Sequence, residues 1–284
     1  MEAEVYAQVK TTVKKIFNID LNYYKDEQMK RRLDSWLIRA RAQTWKDYFV
    51  HITENPVEKE RFRDYLTINV TEFFRDPDRW ATLRRDVMPE LIRSAAQTTN
   101  GVLRVWSAGC SIGVEAYTLA ILVDEMSPLP NHHLLATDMD HGALQKAKAR
   151  GPYSADETRN LTPEQRQKYL TPAAAPSADK AGYSAPDMSG HFAGPPYCIS
   201  EKLARRVHFQ EQDMLADRFE NSFDLIVCRN VIIYFTNEAK TMLYSKFHAA
   251  LRPGGVLFLG GTEIIPRPQE LGFRNYGISF YMKV

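Results

Sequence analysis

The sequence predicts an α/β fold, a doubly wound parallel sheet preceded by a small domain built only of helices. Three observations carry this. From residue 102 onward, apolar strand-like runs alternate with helical ones. Before that point every periodic stretch repeats at helical spacing. The third is the element Arg104-Val-Trp-Ser-Ala-Gly-Cys-Ser-Ile-Gly-Val-Glu-Ala-Tyr-Thr-Leu-Ala-Ile-Leu122, which reads as a buried strand, a turn of small residues and an apolar helix.

In the first part, Val5, Val9, Val13, Ile16 and Phe17 recur at helical spacing and predict the first helix. A second is predicted over 26–42, with Met29, Leu33, Trp36, Leu37 and Ala40 on its inner stripe. Two shorter helices follow at 45–52 and 57–68. The second helix also carries Lys30, Arg31, Arg32, Arg39 and Arg41, with Asp34 among them. Such a run serves either as a solvated face or as a docking surface for an acidic partner.

In the second part, strands are predicted at 102–107, 134–137, 207–210, 223–228 and 256–259. Helices are predicted at 114–126, 142–150 and 238–251, the last ended by Arg252-Pro253-Gly254-Gly255. The β-rich run Gly277-Ile-Ser-Phe-Tyr-Met282, within 273–284, is expected to finish the sheet antiparallel. Between about 153 and 206 the alternation is interrupted. Inside it, residues 171–196 are rich in Ala, Pro, Ser and Gly, have little to bury, and predict a mobile excursion.

The 284 residues, 44% of them hydrophobic, suffice for a substantial core. A formal charge of +2 argues against a chain built mainly to neutralise nucleic-acid phosphates. No apolar run has the length of a bilayer span, and Met1-Glu-Ala-Glu4 lacks the features of a secretion signal. Cys110, Cys198 and Cys228 have no metal-ligand spacing and read as small residues in tight places. A cytoplasmic, reduced protein without metal is expected.

Chemistry is expected at the carboxyl ends of the parallel strands. The turn at 107–113 offers backbone N–H groups and a helix N-terminus to a ligand. The run His133-Leu-Leu-Ala-Thr137 ends in Asp138, where such sheets place a carboxylate that grips a ribose diol. Asp213-Met214 and Cys228-Arg-Asn-Val-Ile-Ile-Tyr-Phe235 end further strands. Asn69-Val-Thr71-Glu-Phe-Phe-Arg75, at the junction of the two parts, presents polar groups that a plain hydrophobic junction does not require. No G-x-x-x-x-G-K-[ST] element, G-x-S-x-G elbow or His-Glu-x-x-His pair is present. Ser111 stands where a dinucleotide fingerprint requires glycine, so a cofactor without pyrophosphate, S-adenosylmethionine, fits better.

These segments resemble the CheR-type chemotaxis-receptor glutamate O-methyltransferase family over nearly the whole chain. Residues 69–75 resemble its N-x-T-x-F-F-R segment, and 106–117 its W-S-A-(small)-x-S-x-G-x-E-x-Y loop. Asp138 and Asp140 fall in its T/S-D-x-D element, and 224–235 resemble F-D-x-I-x-C-R-N-V-x-I-Y-F. Leu251-Arg-Pro-Gly-Gly255 and Gly260-Gly-Thr-Glu263 complete the likeness.

The resemblance implies a Rossmann-like S-adenosylmethionine methyltransferase sheet at 102–284, carrying a small β subdomain inserted at about 153–206. It implies a helical receptor-recognition domain at 1–75 and a linker helix region at 76–101. The implied cofactor contacts are Asn69, Thr71, Arg75, Ala108, Gly109, Glu115, Asp138, Met139, Asp213, Met214, Arg229 and Asn230. Arg75 and Tyr234 are implied beside the reacting centre. The implied acceptors are glutamates on the cytoplasmic helical bundle of chemoreceptors, docked on Lys30, Arg31, Arg32, Arg39 and Arg41 by a monomeric enzyme that neither binds nucleic acid nor enters the membrane. S-adenosylhomocysteine is the implied product. Departures from the family pattern are Ile112 and Val114 for its usual Thr and Glu, Gly260-Gly-Thr-Glu263 for G-H-S-E, and low-complexity sequence where some members hold a receptor tether by strand addition. A non-catalytic sensor of the same cofactor, or a methyltransferase for another acceptor, is the competing reading.

Overall fold

The computed structural model describes residues 1–67, 71–173 and 196–284. In chain order the helices α1 (Ala3–Phe17), α2 (Asp26–Arg39), α3 (Trp45–Glu54), α4 (Pro56–Leu66), α5 (Pro77–Thr82) and α6 (Met88–Thr98) come first. Then follow β1 (Arg104–Ala108), α7 (Val114–Met126), β2 (His133–Asp138), α8 (His141–Lys148), α9 (Pro163–Tyr169), β3 (Leu170–Pro172), β4 (Tyr197–Ile199), α10 (Glu201–Ala204) and β5 (Val207–Glu211). The chain ends with β6 (Phe223–Cys228), α11 (Asn237–Ala250), β7 (Leu251–Leu259), β8 (Phe273–Asn275) and β9 (Phe280–Lys283). Asn69 and residues 174–195, the greater part of the predicted excursion, lie outside the described residues.

Two compact bodies make up the chain. The terminal body comprises Met1–Asn69, Gln212–Ser222 and Ile226–Val284, and the middle body Val70–Glu211 with Phe223–Leu225. In the terminal body, α1 to α4 form around rings that the 3.6-residue period brings to one side. Phe62, wholly buried, meets Trp36 at 5.5 Å, Trp45 at 5.8 Å and Tyr48 at 5.3 Å. The Trp36 indole donates to the Tyr48 hydroxyl at 2.6 Å, which satisfies the polar tips of both rings, while the buried Trp45 indole N–H has no hydrogen-bond partner among the described residues. Thr44 and Asn55 cap α3 and α4 by accepting from Asp47 and Glu58 N–H, and Pro56 opens α4 where its missing donor costs nothing. Of the predicted inner stripe of α2, Met29, Leu33 and Trp36 are buried, while Leu37 and Ala40 are half-buried. The same body contains the second half of β6, then β7, β9 and β8 in that sheet order. β9 pairs antiparallel with β7 and with β8, which is the antiparallel finish expected from the last dozen residues.

In the middle body the sheet runs β5-β2-β1, all parallel, with the first half of β6 beside β1. β1 is therefore the strand at which the chain order reverses, and the loop at its carboxyl end is the switch point where such sheets bind ligands. Helix α7 is buried along almost its entire length, as its near-continuous apolar sequence requires. Pro89, in the first turn of α6, has no N–H to donate, and the preceding turn, Leu83–Val87, is π-helical. β3 and β4 form a separate two-stranded antiparallel sheet, Thr171 opposite Cys198. The ends of the low-complexity stretch are thus regular structure, because Leu170 and Ile199 supply an apolar pair that composition alone obscured. Asp124 of α7 anchors this insertion, accepting from Lys168 at 3.0 Å and the Tyr169 hydroxyl at 2.9 Å and pairing with Arg206. No helix among the described residues is long and apolar enough to cross a membrane.

Candidate functional site

In the middle body, the turn after β1 is shaped by backbone demands. Gly109 and Cys110 both donate to Thr137 O, at 2.8 and 2.9 Å, which bends the chain across the end of β2. Gly109 and Gly113 have φ of 80° and 86°, the left-handed region that glycine enters without penalty. At Gly113 space is decisive as well, since a Cβ there would lie 2.6 Å from the Ala147 Cβ. Ser111 takes φ 50° without being glycine, and its N–H is held by Asp138 Oδ2 at 2.7 Å. Ala108 is buried at the strand end. Glu115, in the first turn of α7, accepts from the Ser107 hydroxyl at 2.9 Å and complements the positive end of that helix.

Asp138 also accepts from Asp140 N–H at 2.9 Å, and Met139 N–H favours its charged form. Burial outweighs these contacts and pushes the carboxyl up to about 6, although one side of the residue still meets solvent. Asp140, two residues on, is wholly buried and spent on local structure, its Oδ1 accepting from Ala143 N–H at 2.9 Å as the cap of α8. Cys110 is buried beside Asp138. Desolvation, reinforced by that charge, holds its thiol well above the ordinary range and keeps it neutral.

The polar junction segment belongs to the middle body from Thr71 on, which is half-buried. The two phenylalanines of the segment are anchors. Phe73 is wholly buried edge-on to Tyr153, and its N–H and O meet Glu157 O and the Asn160 amide at 2.8 and 3.1 Å. Phe74, at φ 48°, donates to Thr118 Oγ1 at 3.3 Å. Arg75 is left half-buried, its carbonyl accepting from the Trp80 indole at 2.9 Å.

In the terminal body, residues 213–217 form a tight turn. Asp213 N–H donates to Asp217 Oδ2 at 2.8 Å, and Asp213 Oδ1 accepts from Leu215 N–H at 2.8 Å. The Lys246 ammonium donates to the carbonyls of Met214, Leu215 and Asp217 at 2.6, 3.3 and 2.7 Å and fixes the backbone that presents Asp213 and Met214. The loop after β6 is organised by Glu263, which is 4% exposed. Its two oxygens accept four backbone N–H groups, Asn230 at 2.9 Å, Ile232 at 2.8 Å, Ile233 at 3.3 Å and Gly260 at 2.7 Å. Gly260 is obligatory here, because a Cβ would lie 2.6 Å from Glu263 Oε2. So held, Arg229 lies over the Phe258 ring at 4.9 Å, and Asn230 takes φ 60°. Tyr234 ends a short 3-10 turn, half-buried.

Sequence reasoning did not assign the roles of Glu263 and Lys246. The motif around Glu263 was visible, but only the folded chain reveals its four donors, and a lysine in the middle of α11 gives no signal at all. Among the basic residues of α2, Arg32 departs from the predicted docking face. It is half-buried, donates to Tyr65 O, and lies 4.2 Å from the Tyr65 ring centre. Arg31, Arg39 and Arg41 are exposed, and Lys30 lies half-buried over the Tyr6 ring.

The residues of each body fit a nucleoside cofactor. The N–H groups of Ser111, Met139 and Asp140 take three of the roughly four acceptor positions of the Asp138 carboxylate, leaving capacity for a hydroxyl donor. The Asn230 amide oxygen is buried without a hydrogen-bond partner among the described residues, a group that needs a donor. No group of residues among those described has the make-up of a metal site.

Comparison with known families agrees with this reading. The model of the CheR methyltransferase SAM binding domain matches residues 69–281, and that of the CheR methyltransferase all-alpha domain matches residues 4–67. The chain is 35% identical to a chemotaxis protein methyltransferase of Listeria monocytogenes over 278 residues, covering 98% of this chain and 97% of that protein. It is 30% identical to chemotaxis protein methyltransferase 2 of Pseudomonas aeruginosa, with 98% and 92% covered.

Proposed function

This chain belongs to the CheR methyltransferase family, S-adenosylmethionine-dependent enzymes of chemotaxis, and we propose that its acceptors are glutamate side chains on the cytoplasmic helices of chemoreceptors. The observation that carries the reading is the ordered match of both family models, which leaves almost no part of the chain unaccounted for. We assign residues 1–75 to receptor recognition, 76–101 to a linker and 102–284 to catalysis, in a cytoplasmic monomer.

The proposed cofactor contacts are Thr71, Arg75, Ala108, Gly109, Glu115, Asp138 and Met139 of the middle body, and Asn69, Asp213, Met214, Arg229 and Asn230 of the terminal body. Asp138 offers its remaining acceptor capacity to a ribose diol, and Asp213 accepts from an adenine amino group while Met214 packs on the ring. When bound, the cofactor supplies an electrophilic methyl on a sulfonium. The acceptor glutamate is already ionised near pH 7, so no protein base is required. What the chain contributes is alignment and desolvation, worth on the order of 7–11 kcal/mol in the best cases. Arg75 orients a carboxylate, and Tyr234 hydrogen-bonds near the methyl. Because charge is neutralised as the reaction proceeds, Arg75 positions the acceptor without clamping its ground state.

The test is incubation of the protein with methyl-labelled cofactor and receptor cytoplasmic fragments, followed by alkaline treatment and peptide mapping. Base-labile label on glutamate is expected, and label that survives alkali or maps to another residue refutes the acceptor. Tyr234→Phe and Arg75→Ala are each expected to lower kcat by roughly a hundredfold, with fold stability retained. Wild-type turnover in both variants would remove these two residues from the reacting centre.

A further inference from the structure

We infer that residues 23–25, the stretch leading into α2, are a positioning element for Tyr234. The helix proposed to read the receptor and the tyrosine proposed to stand at the methyl then share one backbone frame. This rests on the functional reading above and adds to it a route by which the helical domain serves catalysis as well as docking.

The frame is a short antiparallel bridge. Lys25 N–H donates to Tyr234 O at 2.9 Å, and Thr236 N–H donates to Tyr23 O at 2.8 Å. Between these bonds Tyr24 and Phe235 are paired, their rings edge to face with centres 5.2 Å apart. α2 starts at the very next residue, Asp26, with Lys25 as its cap residue. On its other side the same loop is held through the N–H groups of Ile232 and Ile233 by Glu263. The turn holds itself by one ordinary hydrogen bond, Phe235 N–H to Ile232 O at 3.1 Å, and one long one, Tyr234 N–H to Val231 O at 3.4 Å. Those two bonds leave the Tyr234 carbonyl free to be fixed from outside, and its placement is set by a carboxylate on one side and the entrance of α2 on the other. The helical domain has its own aromatic core around Phe62, so this bridge is not what folds it. An in-line transfer tolerates little displacement, and an error of about 1 Å costs up to a hundredfold.

Lys25→Pro tests the bridge at one atom. The φ of Lys25, −64°, is proline's own, and Tyr24 at φ −101° and ψ 153° already has the conformation favoured before proline. The ring removes the donor and sets a methylene against Tyr234 O. Lys25→Ala keeps the N–H and removes the side chain, so the ratio between the two variants isolates the bridge. Lys25→Pro is expected to methylate receptor fragments with kcat about tenfold below Lys25→Ala, with acceptor KM and S-adenosylhomocysteine Kd within about twofold. In a Tyr234→Phe background the ratio is expected to collapse toward one, because the group being positioned has been removed. Phe235→Leu, which loses the ring contact and keeps apolar volume, should give the same selective loss at smaller size, so the outcome does not depend on how one proline variant folds. Equal kcat for the proline and alanine variants together with wild-type kcat for Phe235→Leu overturns the inference, as does an undiminished ratio in the Tyr234→Phe background. A Tyr234→Phe enzyme with full turnover instead refutes the role of Tyr234 itself, whatever Lys25 does.

Discussion

Asp138 and Glu263 are both carboxylates at the ends of strands, both gather backbone N–H groups, and they differ in how much of their capacity the fold consumes. Glu263 accepts four main-chain donors and is 4% exposed, so its acceptor positions are used up inside the protein. Asp138 has three backbone N–H partners, Ser111, Met139 and Asp140, keeps one side open to solvent, and has its carboxyl pushed up to about 6 by burial. The first arrangement builds a loop. The second retains capacity for a ligand and makes the fold bear a cost when it ionises. Two carboxylates at comparable places in the sheet therefore differ in spare capacity, Glu263 being spent on the architecture of its loop and Asp138 keeping room for a further donor, and the number of donors already satisfied distinguishes them.

The largest expected effect comes from Glu263→Gln, which preserves shape and removes an acceptor oxygen. Its amide nitrogen would face N–H groups, leaving Asn230 and Gly260 or Ile232 and Ile233 without an acceptor. At about 1–3 kcal/mol for each buried donor left unmet, destabilisation of roughly 2–6 kcal/mol is expected from urea unfolding with an unchanged m-value. A variant as stable as wild type would erase the distinction between the two carboxylates.

Asp138→Asn should shift the weight from stability to ligand affinity. Each of its oxygens accepts a backbone N–H, so the amide leaves one donor unmet, while removal of a charge that the fold holds at a cost offsets part of that loss. Stability at pH 7 is expected to fall by only about 1 kcal/mol, and S-adenosylhomocysteine affinity by roughly ten- to a hundredfold in calorimetry. The pH dependence sharpens this. The folded carboxyl, at about 6, lies above its unfolded value of about 3.9, so the fold binds its proton more readily. The associated cost is fully present above pH 6 and is relieved as pH falls from 6 towards 4. Cofactor affinity is expected to move the other way, about tenfold weaker at pH 5 than at pH 8, and to lose that dependence in Asp138→Asn. An unaltered pH profile in the variant would assign the titration to another group.

Most of the fold was legible in the sequence, because period and punctuation act locally. α7 and β6 occupy the predicted spans, Val114–Met126 and Phe223–Cys228. The strand tips that carry Asp138 and Arg229 follow from the same pattern. What was not legible depends on contacts across the chain. Lys246 reaches three carbonyls some thirty positions away. The ends of the low-complexity stretch, Leu170–Pro172 and Tyr197–Ile199, find each other as strands although composition between them suggested nothing regular. Asp140 illustrates the same limit at short range. The sequence placed it in an acidic element beside Asp138 without giving it a role, and one hydrogen bond from Ala143 N–H makes it a helix cap.

Within α2 the distinction between consumed and spare capacity recurs among cations, and there the expected effects are smallest. Arg32 gives its guanidinium to Tyr65 O and to the Tyr65 ring, while the Tyr65 hydroxyl donates back to Arg32 O at 3.0 Å. Arg32→Ala is therefore expected to cost about 1–2 kcal/mol of stability, through lost packing as well as a lost hydrogen bond. Arg31 is exposed on the same helix, two turns before the 80% exposed Ile38, and its charge is available to an acidic surface. Arg31→Glu should leave stability within about 0.5 kcal/mol and raise KM for receptor fragments roughly threefold at low salt. That increase should shrink as ionic strength passes about 0.15 M, where the screening length falls to about 8 Å. Reversed outcomes, a stable Arg32→Ala and a destabilised Arg31→Glu, would mean that counting satisfied partners fails to separate architecture from recognition even on a single helix.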